Sequence, residues 1–232
     1  PIFSISDIQG SIANDGPVPM LCVKNPRRAL ALIAARFHPR QPEIAVAVTG
    51  TSGKTSVADF TRQIFSSLNR QAASLGTIGL IKPDGAVYGS LTTPDPVTLH
   101  ATLDGLAGEG ITHLAFEASS HGLDQHRLDG VRLMAAAFTN LGRDHMDYHP
   151  TVDDYFNAKL RLFTELLQPG QTAVVNTDGA FSDRVIAAAE ARGLRVLTVG
   201  TKGKALRRIS LKNEGFAQMM RVETEGRTYN IA

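Results

Sequence analysis

The sequence predicts an α/β fold in which helices flank a mostly parallel β-sheet, with a small antiparallel β appendage. Short apolar runs rich in β-branched residues, such as EIAVAVT at 43–49, are typical of strands buried on both faces. Segments with helical periodicity separate these runs along most of the chain. Because crossover helices pack back onto the sheet, this alternation predicts parallel strands covered on both sides.

The composition agrees with a folded domain and argues against several classes of protein. Of the 232 residues, 43% are hydrophobic, which is enough for a sizeable core. The 24 basic and 22 acidic side chains give a formal net charge of +2, so we expect no nucleic-acid partner. No run of about 20 apolar residues is present, so we expect no membrane insertion. The one cysteine, Cys22, allows no internal disulfide and fits a cytoplasmic protein.

The elements can be assigned in order along the chain. Residues 1–42 are proline-rich and irregular, apart from one helix. The predicted elements are a helix at 27–37, a strand at 43–49, a helix at 57–69, a strand at 72–76, a hairpin turning at Asp84-Gly85, a helix at 96–108, strands at 112–118 and 132–140, a helix at 154–167, a strand at 172–177, a helix at 181–193 and a strand at 195–200. After residue 205, short alternating strands predict the antiparallel appendage. The basic stretch 202–212 is predicted to be a solvated edge strand.

A glycine-rich turn, TGTSGKTS, connects the first strand to the next helix. Glycines let successive backbone N–H groups face one anion, and the helix adds the positive end of its dipole. Lys54 can reach the β- and γ-phosphates of a nucleotide, and the Thr55 hydroxyl can ligate Mg²⁺. The match to the phosphate-loop pattern is incomplete, because Val48 occupies the first glycine position. A purely structural turn is the alternative, but the flanking strand and helix favour phosphate binding.

Polar residues follow two further strands at the ends where α/β sheets bind ligands. Glu117 ends one apolar strand, and the loop after the next strand, FTNLGRDHMDYH, contains Asn140 and His145. Mg²⁺ prefers oxygen ligands, and one imidazole is admissible. We therefore expect functional roles for Glu117 and His145, and loop or capping roles for Asp147 and His149.

Two more polar segments are candidates for substrate recognition. EASSHGLDQHRLDG follows the strand that ends in Glu117, and LTTPDP precedes a helix that Pro96 can start. Hydroxyl, amide and guanidinium groups in such loops suit a polar, anionic substrate. The residues concerned are Thr92, Thr93, Ser119, Gln125 and Arg127.

One lysine lies on the apolar face of the predicted helix DYFNAKLRLFTELL. At 3.6 residues per turn, Lys159 falls in the apolar sector between Tyr155 and Leu162, although polar positions are free nearby. The sequence predicts that this lysine points toward the sheet. The alternative to a functional role is an inward lysine whose amine snorkels to solvent along its apolar stem.

Together these motifs resemble the Mur ligase family, the ATP-dependent amide-bond ligases of peptidoglycan synthesis. The resemblance rests on TGTSGKTS, SLGTIG, TTPD, EASSHGLDQHRLDG, FTNLGRDHMDYH and NAKLRLF, in this order over about 120 residues. TTPD and SSHGL favour the branch that adds the third peptide residue, expected to be meso-diaminopimelate, to UDP-N-acetylmuramoyl-L-alanyl-D-glutamate. The alternatives are a sister ligase, the related cyanophycin synthetase half, and a non-catalytic nucleotide-binding module. TTPD and SSHGL argue against folylpolyglutamate synthetase.

The resemblance implies roles for individual residues. It implies an acyl-phosphate mechanism with catalytic roles for Lys54, Glu117, His145 and Lys159. It implies that ATP is held by Gly50, Thr51, Ser52, Gly53, Lys54, Thr55, Ser56 and Asn140. It implies that Mg²⁺ is held by Thr55, Glu117, His145 and Lys159, the last as a CO₂-derived carbamate. It implies that the UDP-MurNAc-dipeptide contacts Thr92, Thr93, Ser119, Gln125 and Arg127.

The resemblance also implies a domain organisation. Residues 1–42 would be the end of an N-terminal UDP-binding domain and a linker. Residues 43–232 would be an ATP-binding central domain, incomplete at its C-terminus, and the C-terminal ligase domain would be absent. We therefore expect a monomer that binds nucleotide but does not complete ligation alone.

Overall fold

The computed structural model describes residues 10–13, 20–87, 92–144, 146–215 and 217–231. Its α-helices are α1 Pro26–Phe37, α2 Lys54–Ser67, α3 Pro96–Gly108, α4 Ser120–Asp124, α5 Val152–Arg161 and α6 Ser182–Ala191. Its strands are β1 Gly10–Ala13, β2 Met20–Val23, β3 Ile44–Thr49, β4 Ala72–Gly76, β5 Gly79–Lys82, β6 Gly85–Val87, β7 His113–Glu117, β8 Ala135–Phe138, β9 Thr172–Asn176, β10 Arg195–Gly200, β11 Leu206–Glu214, β12 Ala217–Thr224 and β13 Arg227–Ile231. Among the described residues, no helix is both long enough and apolar enough to span a bilayer.

Eleven strands form one sheet in the order β13-β12-β11-β10-β9-β8-β3-β7-β4-β5-β6. All pairs from β11 to β4 are parallel, and the strands outside them are antiparallel. The prediction of a mostly parallel sheet flanked by helices is confirmed. β3 lies at the centre of the parallel part, between β7 and β8.

The register of the central strands brings their C-terminal ends to one edge of the sheet. Val48 of β3 pairs with Glu117 of β7, and Thr49 pairs with Phe138 of β8. The glycine-rich turn, the Glu117 side chain and the loop that begins at Thr139 therefore meet at this edge.

The two faces of the sheet are packed by different helices. On one face, apolar residues of the central strands form the main core with side chains of α3, α5 and α6. On the other face, Val48 and Ala115 pack against Ala58 of α2. Burial on both faces explains why the strands are continuous apolar runs rather than alternating ones.

The C-terminal strands differ from their predicted arrangement. β11, β12 and β13 form an antiparallel meander, as expected. However, β11 also pairs in parallel with β10, through Val199 with Leu206 and Gly200 with Arg207. The meander is therefore an extension of the main sheet, and the basic strand β11 is an interior strand rather than an edge strand.

Several predicted boundaries were wrong for local reasons. α2 begins at Lys54 rather than residue 57, because Gly53 takes a left-handed conformation at the N-cap (φ 83°). The predicted helix 154–167 is α-helical to Arg161 and continues as a π-helical turn at Leu162–Leu166. The β5–β6 turn precedes Gly85, which pairs with Lys82 and belongs to β6. The short elements β1, β2 and α4 were not predicted, since four or five residues carry no usable periodicity.

Candidate nucleotide and metal site

The glycine-rich turn is held in a conformation that only glycine readily adopts. Gly50 has φ 146°, and a Cβ there would overlap Thr139 Oγ1 and lie 3.0 Å from the backbone oxygen of Asn140. Gly53 has no side chain to cap α2, so the first N–H groups of that helix are available to an anion. A Cβ at Gly53 would meet no atom of the described residues within 4 Å, so the loop faces open space.

Asn140 clamps this loop. Its Oδ1 accepts from the Ser52 N–H at 3.0 Å, and its Nδ2 donates to the Ser52 carbonyl at 3.1 Å. Its backbone oxygen accepts from the Thr51 N–H at 2.9 Å. Thr139 Oγ1 adds a bond to the Ser52 carbonyl at 2.7 Å. The described contacts of Asn140 are thus to the loop itself, while Ser56 lies exposed in the first turn of α2.

Glu117 is almost fully buried, at 1% exposure, and its carboxylate is surrounded by donors. Oε1 accepts from Thr55 Oγ1 at 2.8 Å and from the Thr77 N–H at 2.7 Å. Oε2 lies 3.3 Å from the donating Thr77 Oγ1. Paired oxygens from Thr55 and Glu117 beside a phosphate loop are the hard ligands that Mg²⁺ prefers, so these residues fit the metal.

Gly76 and Thr77 are functional candidates that the sequence analysis did not single out. A Cβ on Gly76 would overlap Glu117 Oε1 and lie 2.6 Å from its Cδ. Both residues belong to SLGTIG, a motif that carried the resemblance without an assigned role. Their proximity to Glu117 follows from the pairing of β4 with β7, which the sequence pattern does not specify.

Gly76→Ala is expected to displace the Glu117 carboxylate and weaken Mg²⁺-dependent nucleotide binding about 10-fold, which corresponds to the loss of about one charged hydrogen bond. Titration calorimetry with a non-hydrolysable ATP analogue, with and without Mg²⁺, measures the effect. Gly142→Ala is the matched control, because its Cβ would make only an ordinary 3.7 Å contact with Thr51 Cγ2. Equal affinities for the parent and Gly76→Ala in Mg²⁺ would contradict the prediction.

Two lysines converge on one carbonyl oxygen of the loop. Lys159 Nζ donates to the Gly50 oxygen at 2.9 Å, and Lys54 Nζ donates to the same oxygen at 3.1 Å. Lys54 also donates to the Thr51 oxygen at 2.9 Å. Lys159 is 1% exposed and its Nζ lies 4.3 Å from the centre of the Tyr155 ring. The inward orientation is therefore confirmed, and the snorkelling alternative was wrong.

Burial sets the electrostatics of both lysines. Desolvation, followed by the positive charge of Lys54, lowers the pKa of Lys159 from 10.5 to about 7, and Asp144 opposes this shift. Desolvation also lowers the pKa of Lys54, against the opposing charges of Glu117 and Asp144. Lys159 is thus a buried amine with a substantial neutral fraction near physiological pH.

The predicted substrate residues lie together beside Glu117. Thr93 Oγ1 donates to the Glu117 backbone oxygen at 3.1 Å and accepts from the Ser119 N–H at 3.0 Å. Thr92 Oγ1 lies 3.0 Å from Thr77 Oγ1. Ser119 Oγ accepts from the Gly122 N–H at 3.0 Å and so caps α4.

Gln125 and Arg127 complete this group. Arg127 Nη1 donates to the Thr93 backbone oxygen at 2.7 Å, and Arg127 Nη2 donates to Gln125 Oε1 at 2.7 Å. Gln125 Nε2 donates to Tyr148 OH at 3.1 Å. Tyr148 was not predicted, since its role depends on contact between two distant loops.

The second predicted metal position is only partly described. His145 lies outside the described residues, so its place relative to Glu117 and Lys159 stays a prediction. Across the described ranges, no group of three or more His, Cys, Asp or Glu side chains is arranged to hold a metal.

Comparison with known proteins places these motifs in a family. Residues 48–232 match the family described as the Mur ligase middle domain. The UDP-N-acetylmuramoyl-L-alanyl-D-glutamate–2,6-diaminopimelate ligase of Bradyrhizobium diazoefficiens is 60% identical over 229 residues, covering 97% of this chain and 47% of that protein. The protein of the same name from Agrobacterium fabrum is 54% identical over 219 residues, covering 94% of this chain and 45% of that protein.

Solved structures show the same fold. A UDP-N-acetylmuramoyl-L-alanyl-D-glutamate–2,6-diaminopimelate ligase superimposes with a TM-score of 0.78 at 29% identity, covering 91% of this chain and 44% of that one. The MurF ligase of Thermotoga maritima in complex with ADP gives 0.67 at 14% identity, covering 96% and 47%. The chain spans about half the length of the curated relatives it matches. With the family match over residues 48–232 and these identities, the chain belongs to the Mur ligase family.

Proposed function

We propose that this chain is the nucleotide-binding part of an ATP-dependent ligase that joins meso-diaminopimelate to UDP-N-acetylmuramoyl-L-alanyl-D-glutamate. The observation that carries the proposal is the meeting of Lys54, Lys159 and the Thr55–Glu117 pair around one phosphate loop. The names of the relatives support the choice of substrates. The reaction is placed in the cytoplasm, with the chain as a monomer.

In the proposed mechanism, the loop binds and orients the phosphates of ATP. Backbone N–H groups of residues 53–56, at the start of α2, face the phosphates, and Lys54 leaves the Gly50 and Thr51 oxygens to reach them. Thr55 and Glu117 would hold one Mg²⁺, and His145 would serve a second. When bound, Mg²⁺ offsets the repulsion between the phosphates and the carboxylate to be activated. Asn140 keeps the loop in register throughout.

Lys159 is proposed to carry a carbamate. The neutral amine attacks CO₂, a C–N bond forms, and one proton leaves to solvent or a neighbouring base. A group that only donates hydrogen bonds thereby becomes an anion with two acceptor oxygens, aimed at the loop and available to a cation. The lowered pKa of Lys159 supplies the neutral amine that this addition requires.

The residues beside Glu117 are proposed to hold the acceptor substrate. The terminal carboxylate of that substrate takes the γ-phosphoryl group of ATP, and ADP leaves. The amine of the incoming amino acid then attacks the acyl phosphate, and phosphate and a proton leave as the amide forms. The contacts are assigned to Thr92, Thr93, Ser119, Gln125 and Arg127. Residues 1–42 are proposed to be the end of a UDP-binding domain and residues 43–232 a central domain. The 232 residues by themselves are expected to bind nucleotide.

Lys54→Ala tests the nucleotide assignment. Losing a charged hydrogen bond to phosphate is expected to cost about 2 kcal/mol, or roughly 30-fold in affinity for the ATP analogue. Lys212→Ala, which removes an exposed lysine on β11, is the matched control and is expected to leave affinity unchanged. Unchanged affinity in Lys54→Ala would remove the phosphate assignment.

A further inference from the structure

The loop that follows α4 has two sides with different contacts. On one side, Gln125 contacts Tyr148, and Arg127 contacts Thr93, which is another of the proposed substrate residues. On the other side, Asp129 turns away from the substrate residues and is buried, with its side chain 5% exposed. The second side has no part in the function proposed above.

Asp129 joins three helices and its own loop. Its Oδ1 accepts from Arg28 Nε of α1 at 3.1 Å, and its Oδ2 accepts from Arg161 Nη2 of α5 at 3.2 Å. His126 Nδ1 lies 3.3 Å from Oδ1. The backbone oxygen of Asp129 lies 3.0 Å from Nε2 of His100, a fully buried residue of α3. A buried carboxylate with this many donors is fixed in place, since losing one donor leaves charge uncompensated.

The partner Arg161 carries the connection to the lysine helix. It lies two residues after Lys159, at the end of α5. It donates to the Leu123 backbone oxygen in α4 and to Glu165 Oε2 at 2.8 Å, in addition to Asp129. The Arg161 guanidinium therefore contacts both ends of the segment 123–129, which contains Gln125.

We propose that Asp129 is a positioning residue that holds the loop bearing Gln125 and Arg127 against α1 and α5, in the orientation that binds the acceptor substrate. The inference rests on the proposed function. Because Asp129 touches neither the phosphate loop nor Glu117 in the described contacts, its loss acts on acceptor binding and spares nucleotide binding.

Asp129→Asn is the main test, since it keeps the shape and removes the charge. Ligation is measured in a full-length ligase in which these 232 residues replace the matching part of the Bradyrhizobium diazoefficiens relative. KM for the UDP-muramoyl dipeptide is expected to rise about 10-fold with kcat within about 2-fold. Arg28→Gln, which removes the half-exposed partner, gives a smaller rise and serves if Asp129→Asn folds poorly.

Asp104→Asn is the matched control. Asp104 lies on α3 and forms another aspartate–arginine pair, with Arg40 at 2.8 Å, and this variant breaks that pair. Its KM is expected to stay at the parent value. The inference is overturned if KM rises as much in Asp104→Asn as in Asp129→Asn. It is also overturned if KM rises in neither Asp129→Asn nor Arg28→Gln.

Hydrogen exchange in the 232-residue chain separates this inference from the proposed function. Amides of residues 123–127 are expected to exchange at least 5-fold faster in Asp129→Asn, with affinity for the ATP analogue unchanged. If the parent full-length ligase forms no amide, the proposed function fails, and the exchange result alone decides the inference. Unchanged exchange overturns it.

Discussion

Labelled bicarbonate is expected to give the chain a carbamate signal at pH 8 that Lys159→Met abolishes. The pKa of Lys159 is lowered to about 7, so its amine is largely neutral at that pH, whereas an ordinary lysine at 10.5 is protonated. Carbon-13 NMR measures the signal. Methionine fills the space of the buried stem. The Gly50 oxygen keeps a hydrogen-bond donor, because Lys54 still donates to it. Lys212→Met is the control and is expected to keep the signal.

The same variant gives a check through stability. Folding lowers the pKa of Lys159. Between about pH 7 and 10.5, Lys159 is therefore protonated in the unfolded chain and largely neutral in the folded chain. Stability of the parent, relative to Lys159→Met, therefore rises with pH across this window and is constant below it. Urea unfolding at several pH values measures the difference. A carbamate signal that persists in Lys159→Met, or a flat stability difference, would contradict the assignment.

Gly50→Ala is expected to lose nucleotide binding by more than about 100-fold and to destabilise the fold by about 2–4 kcal/mol. The φ of 146° disfavours any side chain, and the new Cβ would overlap Thr139 Oγ1 and press on the Asn140 backbone. The Gly50 oxygen, which accepts from both Lys54 and Lys159, would move with the loop. Calorimetry with the ATP analogue and urea unfolding measure the two effects.

Gly105→Ala is the matched control for this substitution. Gly105 lies inside α3, and a Cβ there would meet no atom of the described residues within 4 Å. Because alanine favours the helix, this variant is expected to be neutral or up to about 1 kcal/mol more stable. Gly50→Ala that binds nucleotide within 3-fold of the parent would show that the loop does not require glycine there.

The sequence pattern predicted the features that depend on the order of residues within one segment of the chain. Buried strands, crossover helices and the inward Lys159 all follow from periodicity along one segment. The contacts of Glu117 with Gly76 and Thr77 do not, because they depend on β4 lying next to β7. The contacts of Asp129 likewise require three helices to meet.

Local rules also fail where elements are very short or change type. α4 has five residues and is marked mainly by its Ser119 cap. The change from α- to π-helix after Arg161 leaves the hydrophobic pattern continuous, so the sequence predicted one helix. The charge of β11 is typical of an edge strand, and the sequence does not show its pairing with β10.

The central place of β3 has a consequence for how the chain folds. Val48 pairs only with strands far downstream, at Glu117 and Ala137, so its neighbours arrive after long loops have closed. The phosphate loop follows directly on β3, so its surroundings are complete only when these distant strands have paired with β3. A ligand that needs the finished loop binds only the native chain and stabilises the entire sheet by mass action. Nucleotide binding is therefore expected to report on the correct pairing of strands on either side of β3.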